Sequence, residues 1–222
     1  ACIGRPKMVS VGQAENVELY TNSTVEEISG FVGNFNVKIN KRARYVDADK
    51  CTGCGDCTAK CPVKVPDPYN TGLSKTRCIR VPFPQAVPGA AFIDPEVCLY
   101  LTREKCGNCL EGCLADAVDF EQKESEEVIE VGAIIAAPGY KPFDASRKTE
   151  YNYEFSGNVI TSLEFERVLA ANGPTLGHVN RPSDDKEVGK LAFIQCVGSR
   201  DTTVGNGYCS SGCCMYATKQ AL

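Results

Sequence analysis

The chain is poor in the parts from which hydrolases and nucleic-acid binders are built. It has a single histidine, His178, in the loop Leu176-Gly-His-Val-Asn180. No Ser/His/Asp set and no paired carboxylates can be assembled around it, so a structural role is expected for it. Basic charge is not in excess: 24 Lys and Arg against 28 Asp and Glu leave a net charge of −4. That balance argues against a nucleic-acid surface, and the one basic stretch, Lys38 to Arg44, reads as a solvated strand end. No Gly-x-Gly-x-x-Gly occurs. No apolar run reaches the ~18 residues of a membrane helix; the longest, Val131 to Ala137, is broken by Gly132 and closed by Pro138-Gly139. No basic stretch followed by an apolar one marks a leader. These absences predict a cytoplasmic protein with no membrane span and no nucleic-acid partner. The start at Ala1-Cys2-Ile3 and the stop at Leu222, within a helical pattern, predict a piece of a longer polypeptide.

Cysteine is what the chain has in abundance, with 14 in 222 residues. The first run is Cys51-Thr-Gly-Cys54-Gly-Asp-Cys57-Thr-Ala-Lys-Cys61-Pro62. It is the C-x2-C-x2-C-x3-C-P signature of a [4Fe–4S] cluster, whose fourth cysteine serves the neighbouring cluster in two-cluster ferredoxins. The second run is Cys98, Cys106, Cys109 and Cys113, with a longer first gap and Leu114 in place of the proline. By the crossover rule, Cys51, Cys54, Cys57 and Cys113 hold one cluster, and Cys98, Cys106, Cys109 and Cys61 the other. The thiols are too tightly spaced for a disulfide framework. Zinc is the rival, but paired zinc ligands normally come separated by a longer loop.

A duplication supports the cluster reading. Tyr45-Val-Asp-Ala-Asp-Lys-Cys51 and Phe92-Ile-Asp-Pro-Glu-Val-Cys98 share one pattern in register with the two cysteine runs, as a pseudo-twofold ferredoxin requires. Each copy reads as a strand leading into its first cysteine. Around the pair the pattern changes. Asn16–Thr21, Thr24–Ile28 and Phe35–Ile39 alternate like strands of a meander, with a turn at Gly30–Asn34. Residues 65–89, with five prolines, read as an ordered loop. Glu121–Glu130 reads as a charged hairpin, and Val131–Ala136 and Lys190–Cys196 as buried strands. Thr161-Ser-Leu-Glu164 is a capping box opening a helix whose Phe165, Val168 and Leu169 share a face, stopped by Asn172-Gly173-Pro174.

A third set, Cys196, Cys209, Cys213 and Cys214, is open by spacing alone: inert buried thiols or cluster ligands. Its adjacent pair would point about 100° apart on a helix. Cys78 has no partner pattern and reads as a core or surface thiol.

Several stretches resemble the A-type component of heterodisulfide reductase, the flavin-containing iron–sulfur protein of methanogens and related anaerobes. They include Gly30-Phe-Val-Gly-Asn-Phe35, Lys50-Cys-Thr-Gly-Cys-Gly55, Val81-Pro-Phe-Pro-Gln-Ala-Val-Pro88, Asn158-Val-Ile-Thr-Ser-Leu-Glu-Phe-Glu166 and Phe193-Ile-Gln-Cys-Val-Gly-Ser-Arg-Asp201. The resemblance implies a mixed α+β and α/β fold, with a two-[4Fe–4S] ferredoxin domain inserted in a thioredoxin-reductase-like FAD domain. Residues 1–44 would be part of the flavin domain's meander, 45–120 the insertion, 121–189 its continuation, and 190–222 the start of a second Rossmann-like domain. The resemblance also makes Cys196, Cys209, Cys213 and Cys214 ligands of a third, non-standard cluster, and Cys2 a ligand of a fourth. FAD would sit against Gly139 and Tyr140, where Ala137-Pro138-Gly139 replaces the Ala-Thr-Gly common in such flavoproteins. The implied activity is that of an oxidoreductase component passing single electrons, with bifurcation at the flavin. Its partners would be a hydrogenase or formate dehydrogenase, ferredoxin, and disulfide-reducing and iron–sulfur subunits. A ferredoxin-like carrier without flavin catalysis and a quinone-linked relative are the alternatives.

Overall fold

A computed structural model describes residues 4–222; Cys2 lies outside the described residues. The chain divides into two compact units, one running up to Val65 and resuming over Lys75–Ala137, the other made of Pro66–Ser74 and Pro138–Leu222. The fold is mixed α and β.

In the first unit a short helix, α1 (Gly4–Gly12), precedes a three-stranded antiparallel sheet. Its strands are β1 (Ser23–Phe31), β2 (Asn34–Lys41) and, much later in sequence, a strand at Ser125–Val131, in the order β1, β2, Ser125–Val131. In the central strand Val37 and Ile39 are buried while their neighbours are not, the two-residue period of a half-covered sheet. Charged pairs brace both faces: on the outer one Lys38 Nζ lies 2.9 Å from Glu126 Oε2, and on the face of Val37 and Ile39 Lys41 pairs with Glu127 at the sheet's end. The expected meander is present over 23–41, but Asn16–Tyr20 forms no strand. Glu121–Glu130 is not a hairpin either: Ser125–Val131 pairs as one strand along β2, from Phe35 opposite Val131 to Lys41 opposite Ser125.

Residues 42–124 leave and return between these two bonded strands. Within them α2 (Asp56–Lys60) follows Gly55, and a hairpin of β3 (Lys64–Pro66) and β4 (Lys75–Arg77) follows the first cysteine run. Next come β5 (Ile79–Arg80), β6 (Phe92–Ile93), α3 (Leu99–Arg103) and α4 (Asn108–Glu111); the sheet strand Ser125–Val131 is β7. Two pairings tie the duplicated halves together. Val46 bridges Val118, and Ile79 pairs with Ile93, both antiparallel. Each half therefore lends its last strand to the first strand of the other. Val46, Ile79 and Ile93 are almost wholly buried, with Ala91, Ala117 and five cysteines in the same core; each aliphatic contributes about 1.5–3 kcal/mol by leaving water.

The second unit holds α5 (Ser162–Leu169) and α6 (Cys213–Ala221) among short 3-10 turns. The capping box is complete. Thr161 Oγ1 accepts from the Glu164 N–H (3.3 Å), and Glu164 Oε2 accepts from the Thr161 N–H (2.6 Å). Phe165 and Val168 are buried as expected. The helix ends at Leu169, before the expected stop, because the chain folds back so tightly that a Cβ on Gly173 would lie 1.8 Å from the Arg167 carbonyl. Buried Arg167 reaches Asn70 Oδ1 (3.1 Å) and lies over the Tyr69 ring, both within the hairpin tip counted in this unit.

Two expected buried strands do not form. Residues 132–137 and 190–195 lie outside any strand and are exposed, Ile135 to 93%, and Cys196 beyond them turns at φ +61°. A buried strand needs ladder partners as well as cover, and among the described residues no strand pairs with either run.

Candidate metal centres

Two cavities open within the duplicated segment. The first, about 320 Å³, is walled by Cys51, Cys54, Cys57 and Cys113. The second, narrower at about 20 Å³, is walled by Cys61, Cys98, Cys106 and Cys109, and by Cys78. Each set draws three thiols from one run and one from the other, because the crossed strand pairs bring Cys113 beside the first run and Cys61 beside the second. The short helices α2 and α4 carry Cys57 and Cys109 into the core, where both are buried. Cys54 and Cys106 stay exposed in the loops that form each mouth.

Backbone donors are aimed at the sulfurs. The Ala91 N–H lies 3.4 Å from Cys51 Sγ, and the Ala117 N–H 3.3 Å from Cys113 Sγ. Such donors favour the anionic thiolate and the extra negative charge of a reduced cluster. The guanidinium of Arg44 donates to the Ala90 carbonyl (3.3 Å) and to Thr21 Oγ1 (2.9 Å). It thus fixes the residue before Ala91 and adds a half-buried cation next to Cys51. Burial pushes the thiols of Cys57 and Cys109 up, the latter to about 11 with help from the charge of Cys98. Sites of this kind bind metal by releasing protons.

At the second cavity the longer first gap is not slack loop. It winds into α3, and Tyr100 on that turn stacks on Phe120 with ring centroids 3.9 Å apart. Both rings line the cavity and take up part of it. Its mouth is the exposed Cys106–Gly107 turn, where Cys106 has φ +88°, and this is the part best able to yield to an occupant. Arg80 is buried beside this cavity. Its Nη1 donates to the carbonyls of Arg77 (2.9 Å) and Cys78 (3.2 Å), its guanidinium covers Phe92, and Asp94 lies 3.8 Å away.

The thiols ring voids rather than converge on a point. Among the described residues no three Cys, His, Asp or Glu side chains are placed to hold a single metal ion. Zinc would need its sulfurs about 2.3 Å from one centre, whereas a cubane takes one thiolate at each of four iron corners. The donor set and its place around a void fit a four-iron cluster at both cavities, and at the first so do the N–H groups aimed at sulfur.

In the second unit Cys196, Cys209, Cys213 and Cys214 also come together. Cys213 opens α6 and is buried, while Cys214 beside it is exposed, the divergence helical geometry demands. The Ser210 hydroxyl and the Cys196 backbone hold the Cys213 thiol below its ordinary range, and the charge of Cys213 pushes Cys214 up, with Cys196 and Cys209 adding to it. The Ser211 N–H reaches Cys209 Sγ at 3.4 Å. Gly139 and Tyr140 are both exposed, Tyr140 to 80%, and line neither cavity. His178 is exposed in its loop.

Sequence reasoning missed Arg44, Arg80 and the placement of Cys78. Cys78-Ile79 follows the first run as Ala117-Val118 follows the second, a small residue and then a β-branched one. That signal was readable once the hairpin between was set aside. Among the described residues no helix is long and apolar enough to cross a membrane.

A family model for a 4Fe-4S binding domain matches residues 42–63. Over 220 residues the chain is 48% identical to the A-type component of the H(2):CoB-CoM heterodisulfide,ferredoxin reductase of Methanothermobacter thermautotrophicus, covering 99% of this chain and 33% of that protein. It is 51% identical over 216 residues to the A-type component of the H(2)/formate:CoB-CoM heterodisulfide,ferredoxin reductase of Methanococcus maripaludis, covering 97% and 32%. With the second of the A-type iron-sulfur components of the CoB--CoM heterodisulfide reductase of Methanopyrus kandleri it shares 52% over 220 residues, covering 99% and 33%. The chain spans about a third of the length of these curated relatives.

Proposed function

We propose that this chain, homologous along its length to a third of the A-type component of heterodisulfide reductase, is the iron–sulfur relay of an oxidoreductase that acts on sulfur groups. The observation that carries the reading is the crossed thiol arrangement, three cysteines of one run and one of the other around each cavity. Such clusters, when bound, exchange one electron at a time. The residues of the chain set the terms of that exchange. The thiolates hold the iron, the N–H groups of Ala91 and Ala117 favour the reduced state, and the cations of Arg44 and Arg80 offset its charge. Burial of Cys57, Cys61, Cys98 and Cys109 keeps water from most of the iron.

In this reading residues 45–120 are the two-cluster insertion, and β1, β2 and β7 belong to the sheet of a flavin domain. Cys196, Cys209, Cys213 and Cys214 hold a third cluster at the start of a second nucleotide-binding-type domain at 190–222. The names of the relatives support ferredoxin, and a hydrogen- or formate-oxidising partner, as the ends of the path. Bifurcation and FAD belong to the whole polypeptide, and the relay proposed here runs through thiolate-held clusters alone.

The test is iron and acid-labile sulfide analysis of the anaerobically purified chain. About twelve irons with equal sulfide, four per set, are expected. Zinc without sulfide overturns the reading. Cys113→Ala is expected to damage the cluster of the first run, and Cys61→Ala that of the second, each seen as a three-iron EPR signal. Damage confined to the mutated residue's own run would sink the crossed arrangement.

A further inference from the structure

The internal duplication makes the two cavities controls for one another. At the first, the wall is Ala117-Val118: the Ala117 N–H bonds Cys113, and Val118 bridges Val46. At the second, the same wall is Cys78-Ile79, with Ile79 paired to Ile93. The Cys78 N–H donates to the Val63 carbonyl at 3.1 Å, so the hairpin β3–β4 is looped out and Cys78 returns beside Cys61-Pro62. Where the first cavity has a methyl group, the second has a thiol.

That thiol is 1% exposed and lines the cavity with Cys61, Cys98, Cys106 and Cys109. Its thiol interacts with those of Cys98 and Cys61. Its S–H donates to the Asp94 carbonyl at 3.4 Å. Five thiols therefore surround a space in which a four-iron cluster has four corners. With all four corners held by Cys61, Cys98, Cys106 and Cys109, Cys78 is the thiol left over in the wall.

We propose that Cys78 is a reserve ligand of the second cluster, taking the iron corner left open when the thiolate of Cys98 is lost. The Cys78 S–H bond breaks, its proton passes to solvent, and an iron–sulfur bond forms, with no change of oxidation state. This rests on the cluster reading above.

Three anaerobically purified variants test it by iron and sulfide content with EPR and Mössbauer spectra: Cys98→Ala, Cys98→Ala with Cys78→Ala, and Cys113→Ala. Cys98→Ala is expected to keep its four-iron cluster. The double variant is expected to lose about one iron per chain and show a three-iron signal, as does Cys113→Ala, where Ala117 offers no sulfur. If the single and double Cys98 variants give the same spectrum, the proposal is overturned while the cluster reading stands. If the wild-type chain holds no iron at this cavity, both fall. Should Cys98→Ala not fold, Cys98→Val, which likewise offers the iron no ligand, takes its place. Removing Cys78 from it must then change the spectrum, and an unchanged spectrum overturns the proposal.

Discussion

Gly53 sits at φ +69°, and a Cβ there would lie 2.5 Å from the Gly89 carbonyl, two residues before the Ala91 N–H that faces Cys51. A side chain at this point costs on the order of 2 kcal/mol in backbone strain and pushes the 89–91 segment outward. Gly53→Ala is therefore expected to weaken the bond to Cys51 and make the first cluster's potential more negative, leaving the second unchanged; a redox titration followed by EPR checks this. A second residue speaks through pH. Lys148, hydrogen-bonded to Asp201 at 2.7 Å, and then Thr203 hold the Asp201 carboxyl at about 2, below the ordinary carboxylate value. Its contribution to stability is thus present above about pH 4 and is lost as the pH falls through about 2. Asp201→Asn should remove that acid-dependent part of the melting profile, measured with clusters removed from both proteins so that acid release of iron does not intrude. The grouping of the eight cysteines around the two cavities was legible in sequence because most of them lie in short local spacings. Cys78 was not, because its place depends on a hairpin being set aside and on a bond to Val63.

Among the elements, α5 was the most legible, since its start is written in four consecutive residues. Thr161→Ala removes the acceptor for the Glu164 N–H and should cost about 1 kcal/mol. That is roughly 2–4 °C in melting temperature for a domain of this size, readable by calorimetry. Residues 132–137 and 190–196 failed for the opposite reason. An apolar run announces that it is to be covered, but a strand also needs partners for its N–H and C=O groups, and those are set by residues distant in sequence. The strand β7 makes the same point from the other side. Its charged run, Ser125-Glu-Glu-Val-Ile-Glu-Val131, looked like a hairpin because its partner β2 lies beyond the whole of the cysteine-bearing segment.

At the scale of the molecule, residues 133–142 form an exposed stretch outside any helix or strand where the first unit ends, and such segments are preferred sites of nicking. Limited proteolysis is expected to cut there first. The two fragments should nonetheless remain together on gel filtration, because Pro66–Ser74 of the earlier fragment is packed within the second unit through Asn70 and Tyr69 against Arg167. Fragments that separate at once would count against this packing, and Arg167→Ala should loosen it.

The departure of residues 42–124 from Lys41 and their return at Ser125, directly opposite on the paired strand, has a consequence for how such a chain can be altered. The cysteine-bearing segment is a cassette plugged into a socket one strand spacing wide. Closing that socket with a tight turn should leave the three-stranded sheet in register. Equally, a different cysteine-bearing cassette could be exchanged there, which under the proposed function would reset the voltage of the relay without touching the framework that carries it.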